Sequence, residues 1–552
     1  MMRTYRPGSG QLRLFLLWTA VAGFCLIFIV YPLATIAFAA DDASWKTVCS
    51  SPRWYGAAVN TLLCTVLSTG CATVTGFIYA YAVTRGAVPF KRFFSFIPLL
   101  HLMTPPFVSG LAFILLFGRQ GFITQTVLRL DVSLYGLPGL LIAQTLCFFP
   151  VAYVILKGTL EGIHASLEQA ARGIGAGPFR VFRTVTLPLC LPGLVSAALF
   201  ISISVLSDFG NPLLIGGRFR VLAVEVYAQL SGWANTGTSA VLGMLLLIPA
   251  LLLFTVQRVL LAKKRDQIAT IGSRSGAVQP PLPPKPVRAA LTVFCSCIAL
   301  LTLAHFAAII MGAFSRIWGV DASFTTEHLA NAIRFKRELW NSLRFAAVAA
   351  GCTAVLSSVS AFIVSRTHLP FGKLLDTAVM LPAAIPGSLV GLAFVLAFNG
   401  PIKLTGTRTI IVVALIVSYV PIGYRIMTST FAQIRRTLDD GARSLGASRI
   451  GVFTDILFPL SFRGFCAAFV FCFVQATGTL STVIFLVSFK TPLTSVTILN
   501  LADQGDWGEA AALALILTVA AFGTLAIASA VLAGKRKTPS RFSFSFFDTE
   551  RL

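Results

Sequence analysis

Glu168-Gln-Ala-Ala-Arg-Gly-Ile-Gly-Ala176 is followed by Phe182 and then by Leu187-Pro188. The same design returns 271 positions later as Asp439-Asp-Gly-Ala-Arg-Ser-Leu-Gly-Ala447, then Phe453, then Phe458-Pro459. Each copy reads as an amphipathic helix with an acid in its first turn, where the helix dipole favours it. Gly175 and Gly446 stop that helix and let the chain turn. A second short helix follows, and Pro188 and Pro459 sit where the next segment starts, a position at which a missing N–H costs little.

The duplication extends outward. Ala80-Tyr-Ala-Val-Thr-Arg85 matches Ala361-Phe-Ile-Val-Ser-Arg366, Pro89-Phe90 matches Pro370-Phe371, Pro105 matches Pro386, and Gly110-Leu-Ala-Phe113 matches Gly391-Leu-Ala-Phe394, all 281 apart. Pro150-Val-Ala-Tyr153 matches Pro421-Ile-Gly-Tyr424 at 271. The ten-residue change falls in the loop after the third helix of each half, where length changes are tolerated.

Around these loops the chain is apolar. Of 552 residues, 56% are hydrophobic, 12% are charged and 46 are Phe, with a mean hydropathy of +0.83. That balance excludes a soluble enzyme, a disordered chain and a collagen-like fibre. It implies an all-α membrane protein set in a lipid bilayer. Runs of about 20 apolar residues predict twelve spans: 12–38, 57–83, 94–117, 135–157, 187–209, 237–262, 289–314, 340–364, 374–398, 409–430, 459–488 and 508–533. The run at 459–488 is expected to end before its last residues. The first run has a basic flank and an Ala37-Phe38-Ala39 that resembles a cleavage site, but it exceeds a signal core and reads as a retained helix.

Charge sets the orientation. With the N-terminus in the cytoplasm, 30 of the 44 Lys and Arg fall on that side, among them Lys263-Lys264-Arg265 and Lys535-Arg536-Lys537. Both termini are then cytoplasmic, and the net charge of +24 follows from the positive-inside rule without nucleic acid. The external loop 315–338, with Arg316, Arg334, Lys336 and Arg337, runs against the trend. The halves are parallel six-helix repeats. The expected divisions are 1–56 (N-terminal helix and first external loop), 57–262 (first membrane domain), 263–288 (a Pro-rich extended linker), 289–337 (seventh helix and external loop), 338–534 (second membrane domain) and 535–552 (tail).

Ten of the 11 cysteines lie in apolar runs and read as core packing, leaving Cys49 in a loop. No histidine has metal-ligand spacing, so no metal site is expected.

The paired loops resemble the "EAA" loop of binding-protein-dependent ABC importer permeases of the type I fold. That pattern is Glu-Ala-Ala, three residues, Gly, nine residues, then Ile-x-Leu-Pro. Glu168, Ala170, Ala171, Gly175, Val185 and Leu187-Pro188 fit with a one-residue offset at the acid; in the second copy Asp439, Gly441, Ala442 and Gly446 take these places and Phe458 replaces Leu. The resemblance implies a coupling helix that docks on an ATPase. It implies as partners two ABC ATPase subunits, which bind ATP and Mg, and an external solute-binding protein. It places the chain in a bacterial inner membrane. No G-x-x-x-x-G-K-[ST] occurs, so no catalytic residue or cofactor is assigned to the chain itself.

Polar residues mark the fifth and eleventh spans. Ser204, Asp208 and Asn211 lie at i, i+4, i+7, and Gln475, Thr479 and Thr482 repeat that spacing 271 residues on. One helical face would carry each set, lining a central pathway or bonding between helices. The stretch from Asp208-Phe-Gly-Asn211 to Tyr227 is similar to fused permeases of the ferric-ion group. Closely similar permeases serve 2-aminoethylphosphonate or hexose phosphate, which the external Arg218 and Arg220 would suit. An ion-coupled secondary transporter also has twelve spans in parallel halves. It lacks such loops, and here acids near spans stand only at the ends: Asp208, Asp376 and Glu509.

Overall fold

The structure, a computed structural model, describes residues 9–534 apart from 103–105, 120, 128, 130–133, 270–280, 368, 370 and 401. Among the described residues, ten helices are long and apolar enough to cross a membrane: Leu12–Ala39, Pro52–Thr84, Leu137–Glu161, Pro178–Leu206, Thr236–Leu260, Lys285–Phe314, Glu327–Arg366, Arg408–Gln433, Arg449–Thr477 and Trp507–Ile527. An eleventh is counted if the bent pair Gly372–Ala384 and Gly387–Ala397 is one span.

The two expected spans that differ are the third of each half. The run 374–398 folds back by 108°. Pro386 has no N–H to continue a helix and holds Ile385 in extended backbone (φ −96°, ψ 120°). Its repeat mate is likewise two short helices, Lys91–Leu102 and Pro106–Phe117. Irregular backbone of this kind survives at membrane depth only inside protein or beside a cavity. Here Ser388, Leu389 and Leu392 are fully buried.

The halves embrace. Helix Leu12–Ala39 leaves its own half and lies on the bent pair of the other. There the Tyr31 hydroxyl donates to the Ala397 carbonyl at 3.4 Å, and the Phe28 and Phe398 rings sit 5.8 Å apart. Lys285–Phe314 does the reverse, with His305 and His101 rings 5.8 Å apart. Within each half the second and fourth spans pack together, Pro52–Thr84 on Leu137–Glu161 and Lys336–Arg366 on Arg408–Gln433. A Cβ on Gly193 would strike the Thr159 side chain, and one on Gly464 would strike Thr430, so the fifth and eleventh spans also approach closely at matched points.

Several smaller expectations are corrected. The short helix, the turn before Pro188 and the fifth span form one continuous helix, Pro178–Leu206, and Arg449–Thr477 repeats this. A widened turn at Phe182–Thr186, and again at Val452–Leu457, absorbs each proline. Loop 315–338 contains a two-stranded hairpin, Ser315–Ile317 with Asp321–Phe324, before the next helix begins. Cys49 lies on the helix Asp42–Ser50, and Cys71, Cys297 and Cys352 are exposed on outer faces of spans rather than in the core. The tail 535–552 and the middle of the linker fall outside the described residues.

Candidate coupling loops and polar cluster

The first loop is helix Ala165–Gly173, a turn at Gly175 (φ +89°) and the helix that begins at Pro178. The Ala176 N–H donates to the Ala171 carbonyl at 3.1 Å, closing the helix end over the left-handed glycine. The second loop repeats this with Thr437–Ser444, Gly446 (φ +91°) and Ala447 donating to Ala442 at 3.0 Å.

The acids do more than complement a dipole. Glu168 is buried at 3% exposure and pairs with the Arg85 Nε at 3.2 Å. The Thr186 hydroxyl donates to the same carboxylate at 2.8 Å. Arg85 Nη2 donates to the carbonyls of Leu160 and Ile163, both at 2.9 Å. One arginine at the end of the second span thus caps the fourth span and holds the loop helix. Arg366 does the same in the second half: Nη1 donates to Asp439 at 2.9 Å, and Nη2 to the carbonyls of Ile434, at 2.6 Å, and Phe431. Leu457 stands where the first copy has Thr186, and Asp439 Oδ1 is left buried without a partner.

Ala170 and Gly441 are exposed, and Ala171 and Ala442 are half-buried. The turn tips carry Ile174 and Leu445, 88% and 91% exposed, with Phe179 beyond the first. Large apolar side chains are thus held out at matched tips of the two loops.

The polar stripes are not single helical faces, which corrects the expected geometry. The fifth-span helix ends at Leu206 and the eleventh at Thr477, so Asp208, Asn211, Thr479 and Thr482 lie beyond them, in turns and a short helix. Asp208 Oδ2 accepts from Gln144 Nε2 at 2.9 Å and from Asn211 Nδ2 at 2.8 Å. Ser68 donates to Gln144 Oε1 at 2.7 Å, and Asn211 Oδ1 is buried without a partner. Ser204 is half-buried and its hydroxyl turns back to the Phe200 carbonyl at 3.0 Å. In the second half, Tyr419 bonds to Thr479, and the Ser418 and Thr482 hydroxyls lie 3.2 Å apart; Gln475 is half-buried. One half therefore presents a carboxylate with an orphaned amide oxygen, and the other only hydroxyls and an amide.

The remaining acids at span ends are structural ties. Asp376 accepts from Tyr424 at 2.6 Å and pairs with Arg258, joining the halves. Glu509 accepts from Asn331 at 3.0 Å. Of the two arginines expected to be external, Arg220 lies 3.4 Å from Glu225, which also holds Arg53 at 2.7 Å, while Arg218 is exposed.

Residues 72–266 and 353–538 each match the family described as binding-protein-dependent transport system inner membrane component. The chain belongs to this family. This permease is 33% identical over 463 residues to the ferric transport system permease protein FbpB of Actinobacillus pleuropneumoniae, covering 81% of this chain and 67% of that one. It is 32% identical over 435 residues to a putative ferric transport system permease of Haemophilus influenzae, covering 76% and 68%. One half alone, 33% of the chain, is 29% identical to 82% of the molybdenum transport system permease ModB of Escherichia coli.

In this permease, counting back from Gly175 and Gly446 by the family spacing reaches Gln169 and Asp440, not Glu168 and Asp439. Both residues in register are exposed, and both acids one position earlier are turned inward. The offset seen in sequence thus corresponds to an inward acid that anchors the helix and an exposed residue one position later. Arg85 and Arg366 were visible as repeat mates, but sequence assigned them no role. Their signal was an arginine at the end of an apolar run in both halves, repeated 281 positions apart.

Proposed function

We propose that this permease forms the pathway of an ATP-driven importer of ferric iron. Two ATPase subunits, carrying ATP and Mg, dock on the loops 161–183 and 432–454, and an external binding protein delivers the solute. The observation that carries the ATPase part is the doubled loop: each acid is latched inward by an arginine, and each tip holds an apolar side chain out. This chain has no role in ATP hydrolysis beyond transmitting it. The charge bias supports a cytoplasmic placement of both loops and both termini.

Ferric iron rests on the two ferric transport relatives. The oxygen chemistry of Asp208 and Asn211 suits a hard cation. A phosphorylated or phosphonate solute is less well served, because Arg220 is tied to Glu225. Asp208→Asn is expected to lower iron uptake severalfold while ATPase assembly is retained, measured in proteoliposomes. Unchanged uptake would remove Asp208 from the pathway.

The pathway reading has a second test. Cysteines at Ser204, Asp208, Gln475 and Thr479 should react with small water-soluble thiol reagents in one nucleotide state and be protected in another. Cysteines at the buried Ile203 and Phe473 should stay unreactive. The background must lack the exposed Cys49, Cys71, Cys297 and Cys352. Protection of all four positions in every state would assign these residues to helix packing alone.

A further inference from the structure

A cavity of about 450 Å³ lies between the second coupling loop and the end of the span Glu327–Arg366. Arg366, Arg436, Arg443 and Arg449 line it, with Asp439 and Asp440. Four guanidinium groups thus face two carboxylates. Arg366 is engaged by Asp439, and Arg436 Nη2 reaches only the Ser365 carbonyl, at 3.4 Å. Among the described residues, the Arg443 and Arg449 side chains have no ion pair within 4 Å and no hydrogen bond.

The surplus charge is not required by the loop motif. At the matched positions of the first copy stand Ala165 for Arg436 and Pro178 for Arg449. The mate of Arg443, Arg172, donates to the Leu282 carbonyl at 3.0 Å, so the linker occupies it. The second copy gathers Arg436, Arg443 and Arg449 around this cavity, and two of the three have no basic mate in the first, whose own extra arginines, Arg180 and Arg183, stand on the helix after the turn.

We propose that this cavity binds a phosphate-bearing anion through Arg436, Arg443 and Arg449. Guanidinium forks match phosphate oxygens with paired hydrogen bonds, and an anion restores the local charge balance. A few hundred Å³ accommodates a small phosphorylated ligand or a lipid headgroup. The cavity lies against the end of the span Glu327–Arg366, far along the chain from the polar cluster at Asp208. Arg443 lies on the loop helix and Arg449 on the helix after the Gly446 turn, so a bound anion bridges the two arms of that loop.

The test uses the full chain and two probes. Inorganic phosphate binding is measured by equilibrium dialysis, and retention of phosphatidylglycerol is measured by native mass spectrometry from nanodiscs rich in zwitterionic lipid. The variants are Arg443→Gln/Arg449→Gln, the charge-conserving Arg443→Lys/Arg449→Lys, and Arg172→Gln as the first-copy control. The site requires that the glutamine pair lose at least tenfold in affinity for one probe, while Arg172→Gln binds as wild type and the lysine pair retains most binding. Loss for phosphate assigns a soluble ligand; loss for the lipid alone assigns a headgroup. Binding equal in all variants, absent from the wild type for both probes, or lost as much in Arg172→Gln overturns the proposal. The lysine pair also separates loss of the site from loss of the fold.

Discussion

Arg85→Ala is expected to reduce ATP-dependent uptake by about a hundredfold or more. The substitution leaves Glu168 buried without its cation and frees two carbonyls at the end of Leu137–Glu161. Stranding one partner of a buried pair costs about 3–5 kcal/mol, and each 1.4 kcal/mol is about tenfold in an equilibrium. The loop helix should then leave its seat and the ATPase should co-purify poorly. Arg85→Ala/Glu168→Ala should recover part of the activity, since no buried charge remains. Arg366→Ala should be milder, because the Asp439 side chain is 15% exposed against 4% for Glu168. Uptake and co-purification at wild-type levels in Arg85→Ala would show that the arginine does not position the loop.

Gly175→Val is expected to uncouple the importer, with ATP hydrolysis no longer stimulated by loaded binding protein and uptake reduced about tenfold. Space is not the obstacle, since a Cβ on Gly175 or Gly446 would meet nothing within 4 Å. The backbone is: φ is +89° and +91°, and an L residue held near such values costs roughly 1–2 kcal/mol, more when β-branched. Gly175→Asn should therefore be much less harmful, because Asn tolerates this region. Gly446→Val should act in the same direction and less strongly, as its loop departs further from the family pattern. Equal uptake in the Val and wild-type chains would mean that the turn is not needed for coupling. Equal damage by Val and Asn would point to a side-chain clash with the partner instead.

Much of this was legible in the sequence because the repeat supplies its own alignment. Two copies of one polar loop at a fixed offset identify the fold more firmly than either copy alone, and Gly175 and Gly446 were readable as turn residues. Span counting failed where only apolar length was weighed: Ile385-Pro386 interrupts a run that hydropathy treats as continuous, and the backbone before proline leaves the helical region. The polar stripes failed for a related reason. Spacing of i, i+4, i+7 fits one helical face, but the chain leaves the helix at Leu206 and Thr477, and Asp208, Asn211, Thr479 and Thr482 lie in the turns and short helix that follow. The arginine latches were hidden because a cation at a span end is the common consequence of the positive-inside rule. Only the fold shows that Arg85 reaches an acid 83 positions away.

The reading stands or falls on transport by the assembled complex. The permease, its ATPase and an iron-loaded binding protein, reconstituted in liposomes with ATP and Mg, should accumulate radioactive iron, and omission of ATP or of the binding protein should abolish it. Accumulation of a phosphonate or sugar phosphate under the same conditions, with no iron uptake, would contradict the ferric assignment; iron uptake that follows an ion gradient without ATP would contradict the coupling loops themselves.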